Sequence, residues 1–427
     1  MAKPTEIKYN APPNLVNWWR VALLNLFVIG CIGLLLRWMM VRAIPGFNFK
    51  NILHAHSHGA LLGWLYCALF VALVHGFLPA AARQKRVYKW LFWLAQIAVL
   101  GMLLSFPLQG YASVSITFST LHILFSYGFA WFFLKDCRAN PEIKTKHRLS
   151  FRFIKLSLWL MVLSSLGPWA MGPIMASGNS FTPLYYNAIY FYLHFQYNGW
   201  FTFAVLGLFF RLLEQYNISF STQLGNRFFL LMAIAVGPAY LLSVLWTEPP
   251  VWVNIIGGIS AAIQVYALLV FLKLCWHPGK ELLASFSKTA TTILLFSLLS
   301  FILKLLMQLL SALPYFAVLA YKVRHFVIGY LHLVLIGLVS FFLLAYFARI
   351  GWFNLHNSVA KTGLYIFLTG FISSEALIFA QGTSFWLRMG AIPSFDLILF
   401  FGSILLPTGI LLMLRGAFFM PSERELL

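Results

Sequence analysis

The sequence predicts an all-α integral membrane protein of twelve transmembrane helices. Three observations carry this reading. Of the 427 residues, 61% are hydrophobic and only 9% charged, far below the quarter or so that a soluble domain carries. Apolar runs long enough to cross a bilayer, about 20 residues each, recur along the whole chain. No run alternates with a period of two, which argues against a barrel. The aromatic share, 18%, suits lipid-facing surfaces and interfacial belts.

The runs lie near residues 18–41, 51–79, 87–108, 112–134, 151–176, 184–212, 227–246, 251–275, 288–312, 318–348, 361–381 and 394–416. They form one transmembrane domain over 1–427, with a polar arm at 1–17 and a tail at 417–427. The arm has no brief apolar core followed by a cleavage site, so no removable signal peptide is read. Gly167-Pro168, Gly172-Pro173 and Gly237-Pro238 interrupt the fifth and seventh runs and are read as plain kinks. Cys31, Cys67, Cys137 and Cys275 are scattered without ligand spacing and are read as packing residues.

Formal net charge is +20, and its distribution explains it better than a nucleic-acid partner does. With a cytoplasmic N-terminus, one side collects 23 of the 30 Lys and Arg, including Arg83, Lys85, Arg86, Lys89 and the stretch Lys144–Arg152. The other side has Arg37, Arg42, Lys50, Lys322, Arg324 and Arg388, and Lys304 is left inside the ninth run. The positive-inside rule then places both termini in the cytoplasm of a multi-pass inner-membrane protein.

The stretch Asn51–Trp64, NILHAHSHGALLGW, puts three imidazoles at the mouth of the second run. Intramembrane imidazoles are costly unless something binds them, so they mark candidate sites. In this topology His54, His56 and His58 fall in span two, His122 in span four, His194 in span six, and His325 and His332 in span ten. At 1.5 Å per residue, His58, His122, His194 and His332 come to lie about 10–16 Å below the outer surface. Glu375 in span eleven reaches the same layer, where it either orients an imidazole, carries protons, or pairs with Lys304. His147, His277 and His356 are read as solvated loop residues, and His75 as interfacial. His54 and His58 share a face at i,i+4, with His56 rotated off it. His325 lies on the stripe of His332 but about 10 Å higher, as a loop or propionate contact.

There is no HExxH, paired cysteine or carboxylate cluster. Neutral imidazoles from separate helices suit haem iron with two axial nitrogens. The central expectation is that His58 and His332 hold one low-spin haem b, lined by Trp64, Phe195, Tyr197, Trp200 and Tyr330. Arg37, Arg42, Lys322, Arg324 and Arg388 are available to its propionates. His58, His332, His194 and His122 are the candidate metal ligands, with His54, Tyr330, Arg324 and Arg388 beside the cofactor.

With HAHSHGALLGW in span two, YFYLHFQYNGWFTFAVLG in span six and FVIGYLHLVLIG in span ten, the chain resembles subunit I of the haem–copper oxidase superfamily. The cbb-type oxidases and bacterial nitric oxide reductases are the nearest in pattern. The resemblance implies a twelve-span bundle with cytoplasmic ends, His58 and His332 as low-spin ligands, and His194 at a copper-ligand position. The chain departs from the pattern where Tyr330 replaces the high-spin haem ligand and where span seven has no histidine. A complete copper site is therefore not expected, and copper binding stays open. The implied roles are electron transfer, nitric oxide handling or gas sensing, with a cytochrome or quinol as electron donor and any enzyme activity of the oxidoreductase type. The His-Ala-His at His54–His56 is also similar to the NnrS-like group of twelve-span haem and copper proteins. A cofactor-free secondary transporter using the His/Glu layer for substrate or protons is the alternative, and an accessory subunit burying the histidines against a partner is a third reading.

Overall fold

The computed structural model describes residues 13–418; the outer parts of the arm 1–17 and of the tail 417–427 fall outside the described residues. The described chain is helical, with no strand among the described residues. Among the described residues, eleven helices are long and apolar enough to cross a membrane: Asn14–Val41, Phe49–Phe77, Arg86–Gln109, Ser113–Ala139, Arg148–Ala176, Thr222–Thr247, Val251–Cys275, Lys288–Ser311, Arg324–Arg349, Ser358–Trp386 and Phe395–Ala417. These are helices one to five and seven to twelve in the numbering used below. Helix six, residues 183–215, is as long as its neighbours. It fails on apolarity because Asn187, His194, Gln196 and Asn198 interrupt its hydrophobic surface.

Local sequence sets the helix ends. Asn48 caps helix two through the amides of Lys50 and Asn51, and Asn357 caps helix eleven through Val359 and Ala360, each satisfying donors that the first turn leaves without partners. Pro183 opens helix six at a position where its missing N–H costs nothing. The apolar run expected at 318–348 is not one helix. A short helix, Pro314–Lys322, stops at Val323 (φ −108°, ψ 84°) before helix ten starts at Arg324.

The described chain sorts into two compact units. One takes the chain up to Phe129, then Phe286–Leu294 and everything from Ser340 on; the other takes Ala130–Ser285 and Leu295–Val339. In the first unit helix two is the centre, with 94% of its apolar window buried against 28% for helix four. Trp19 of helix one stacks on Phe347 of helix ten at 3.9 Å and meets Trp64 at 5.8 Å. Helices eleven and twelve pack along glycine. In the second unit Phe153 of helix five sits among Phe203, Phe210, Phe228 and Phe229. Since lipid is as apolar as leucine, such close packing holds membrane helices together. Large side chains such as Trp90, Leu108, Trp131 and Leu269 point outward, as a lipid-facing surface requires.

Candidate functional site

Three helices change their winding at a histidine. His58 ends an α-helical turn, and Gly59–Leu65 continues as π-helix; His194 is followed by π-helical Phe195–Phe201, and His332 by Leu333–Ser340. Each π-segment carries glycine five residues after the histidine, at Gly63, Gly199 and Gly337. A π-turn bonds i to i+5, leaves carbonyls to outside partners and is found mostly at functional sites. The glycines admit close neighbours: a Cβ at Gly63 would lie 3.0 Å from Val99 Cγ1, and one at Gly199 would lie 2.9 Å from Leu160 Cβ. The freed carbonyls are taken up. Asn25 donates to Gly63 O at 2.8 Å, and the Thr202 hydroxyl donates to Tyr197 O at 2.6 Å.

In the first unit, His58 Nδ1 donates to His54 O at 2.9 Å, and its Nε2 meets the Tyr111 hydroxyl at 3.2 Å. Both His54 and His58 lie against Phe106 and Tyr111. His56 points elsewhere, with Nδ1 3.2 Å from Ile29 O. Tyr111, which no sequence signal singled out, reaches His58 because Gly110 takes a left-handed turn (φ 65°) after helix three. His122 is 1% exposed, and its ring meets Tyr66 edge-on at 4.7 Å. Its Nε2 and the Tyr66 hydroxyl are buried without hydrogen-bond partners among the described residues. Trp64 Nε1 donates to Ser340 Oγ at 2.7 Å, tying the π-segment of helix two to the last residue of that in helix ten. Glu375 is buried within electrostatic reach of Arg37, and Arg388 is exposed with a left-handed φ of 60°.

In the second unit, His194 is 1% exposed and uses both ring nitrogens. Nε2 donates to Val236 O at 2.8 Å, and Asn198 Nδ2 donates to Nδ1 at 3.1 Å. Val236 O is open because helix seven tightens to a 3₁₀ segment at Pro238, where Tyr240 N bonds Gly237 O instead. The Gly237-Pro238 break is thus more than a kink: it exposes the acceptor for His194. Copper at His194 would have to displace one of these bonds. His194→Leu should cost about 1–3 kcal/mol, the usual price of stranding a buried carbonyl and amide, read as a lower melting temperature in detergent. Tyr330 and Tyr197 meet edge-on at 6.0 Å. His332 and His325 are half-buried, and Arg324 is exposed at the start of helix ten. Lys304, 1% exposed, donates to Gln308 at 2.8 Å and has no carboxylate partner among the described residues.

One expectation needs correction. His147 is not a solvated loop residue: it is buried, with Nδ1 3.4 Å from Glu214 Oε2. His75, near the end of helix two, is 2% exposed against Tyr346 and Trp352. Among the described residues, no three His, Cys, Asp or Glu side chains group to hold a metal ion. The four cysteines are free thiols. No protein-family model and no curated protein matches the chain.

Proposed function

We propose that the chain is a twelve-span, degenerate relative of haem–copper oxidase subunit I, with cytoplasmic ends, holding one low-spin haem b between His58 and His332. The recurring histidine, π-segment and glycine at His58, His194 and His332 is the observation that carries this reading. A π-turn directly after an imidazole is the kind of helix irregularity that recurs at functional sites.

The donor chemistry at His58 fits an axial ligand. Ligating histidines donate their second ring N–H to a carbonyl or carboxylate, and His58 Nδ1 does so to His54 O. This leaves Nε2 as the lone-pair nitrogen, facing a loop tyrosine rather than core packing. Haem would supply one-electron redox chemistry at its iron. The chain would hold its axial nitrogens, exclude water with Trp64, Phe106 and Tyr330, and offer Arg324 and Arg388 to the propionates. His194, bonded at both nitrogens, fits a structural part better than copper. Haem held by two imidazoles would support electron transfer, and would serve nitric oxide handling or gas sensing only where the gas displaces one of them.

Reduced-minus-oxidised spectra of the protein purified from haem-replete cells test the reading. A low-spin α band near one haem per chain, unmoved by carbon monoxide, is expected; a large carbon monoxide shift would show an open site. A colourless preparation would instead favour a secondary transporter. Lys304, buried without a carboxylate, is the feature such a protein would use for protons or an anionic substrate.

A further inference from the structure

The basic stretch between helices four and five builds a cavity of about 320 Å³. Arg138, Arg148, Arg152 and Lys155 line it, with Ile143 and Phe151, and no acidic side chain does. Arg152 is held in place by a hydrogen bond to Asn226 and by the Phe229 ring 4.3 Å beneath its guanidinium. Arg138, Arg148 and Lys155 have no hydrogen bond or ion pair among the described residues. Glu214, which helix six brings to this end, is taken by the Ser150 amide, the Ser150 hydroxyl and His147. Four cations therefore converge with no counter-charge in the wall.

The surroundings say what sort of anion fits. Arg138 ends helix four, seven residues after Trp131, which is 70% exposed; Arg152 stands seven residues before Trp159, which is 53% exposed. Seven residues is two helical turns, so each arginine shares a face with a tryptophan lying deeper along a membrane-crossing helix. That order, cation outside and indole inside, is the order of phosphate and glycerol in a lipid leaflet. A soluble phosphate would find the charges but have no use for the indoles.

We propose that this cavity binds the headgroup of an anionic phospholipid from the leaflet that helix five enters, its phosphate among Arg138, Arg148, Arg152 and Lys155 and its chains along Trp131 and Trp159. Neither haem nor transport is needed for it. Juxtamembrane cations each contribute about 1 kcal/mol toward anionic lipid, so losing two should weaken binding about thirtyfold.

The test is thermal unfolding of the detergent-solubilised full chain, titrated with dioctanoyl phosphatidylglycerol, dioctanoyl phosphatidylcholine or inorganic phosphate. Phosphatidylglycerol should raise the midpoint saturably while the other two leave it in place. Arg148→Gln with Lys155→Gln should shift half-saturation by that thirtyfold factor, and Lys89→Gln, in the first turn of helix three, should not. Should the double variant fail to fold, Lys155→Gln at its exposed position gives the same comparison with a smaller shift. An equal response to phosphatidylcholine, a full response to phosphate alone, or an unaltered curve for the cavity variants would each overturn the assignment.

Discussion

Alanine at His58 or at His332 is expected to remove the low-spin α band, while His277→Ala leaves it intact. If these two imidazoles hold the haem as proposed, either change would remove one of them, and residual haem would then bind carbon monoxide while the parent would not. Position 277 is the proper control because His277 is exposed. His147 would mislead, since removing it strands Glu214 in a buried network with Ser150. His194→Leu separates structure from ligation: it should lower the melting temperature yet keep the spectrum, because its nitrogens serve Val236 and Asn198. Equal spectral losses at 58, 194, 277 and 332 would mean a general folding defect and would refute the ligand pair. Tyr111→Phe refines the result. It deletes the hydroxyl facing His58 Nε2 without touching the Nδ1 bond that orients the ring.

Much of this was legible in the residues. Hydropathy located the eleven helices that are apolar enough to cross a membrane, because a backbone in lipid has few alternatives to satisfying itself along a helix. It overran only at 318–348, where nothing in an apolar composition announces the break at Val323. The likeness of HGALLG and HLVLIG could be seen by eye, and HFQYNG completes the set. The winding change after each histidine could not, since a π-turn depends on which neighbour presses on Gly63 or Gly199. The fates of single imidazoles were the least readable. His194 owes its acceptor to a proline two positions beyond Val236 on another helix, and His147 its burial to Glu214 more than sixty residues away. The chain passes from one compact unit to the other inside helices four, nine and ten, where no linker could mark the boundary.

Gly409→Leu should be among the most damaging single substitutions in the first unit. Helices eleven and twelve cross with their backbones in contact: a Cβ at Gly409 would fall 2.5 Å from Phe367 N and 2.6 Å from Gly363 O, and one at Gly363 would fall 2.7 Å from Gly409 O. Gly370 and Gly416, one heptad along each helix, face Leu405 Cβ at 2.8 Å and Ala360 Cα at 3.0 Å. Because the obstructing atoms are main chain, no rotamer change can make room, and the helices must separate along the whole seam. Small residues are what allow such an approach in lipid, where no hydrophobic force restores the contact once it opens. Overpacking usually costs about 1–3 kcal/mol, and a backbone clash belongs at or above the top of that range. The expected result is a large fall in melting temperature and in the monodisperse fraction on size exclusion. Gly402→Ala, whose Cβ would meet only Ser373 Oγ at 3.9 Å, should behave as the parent does. If both glycines tolerate substitution equally, the two helices do not touch as described, and the packing of the first unit must be redrawn from that seam outward.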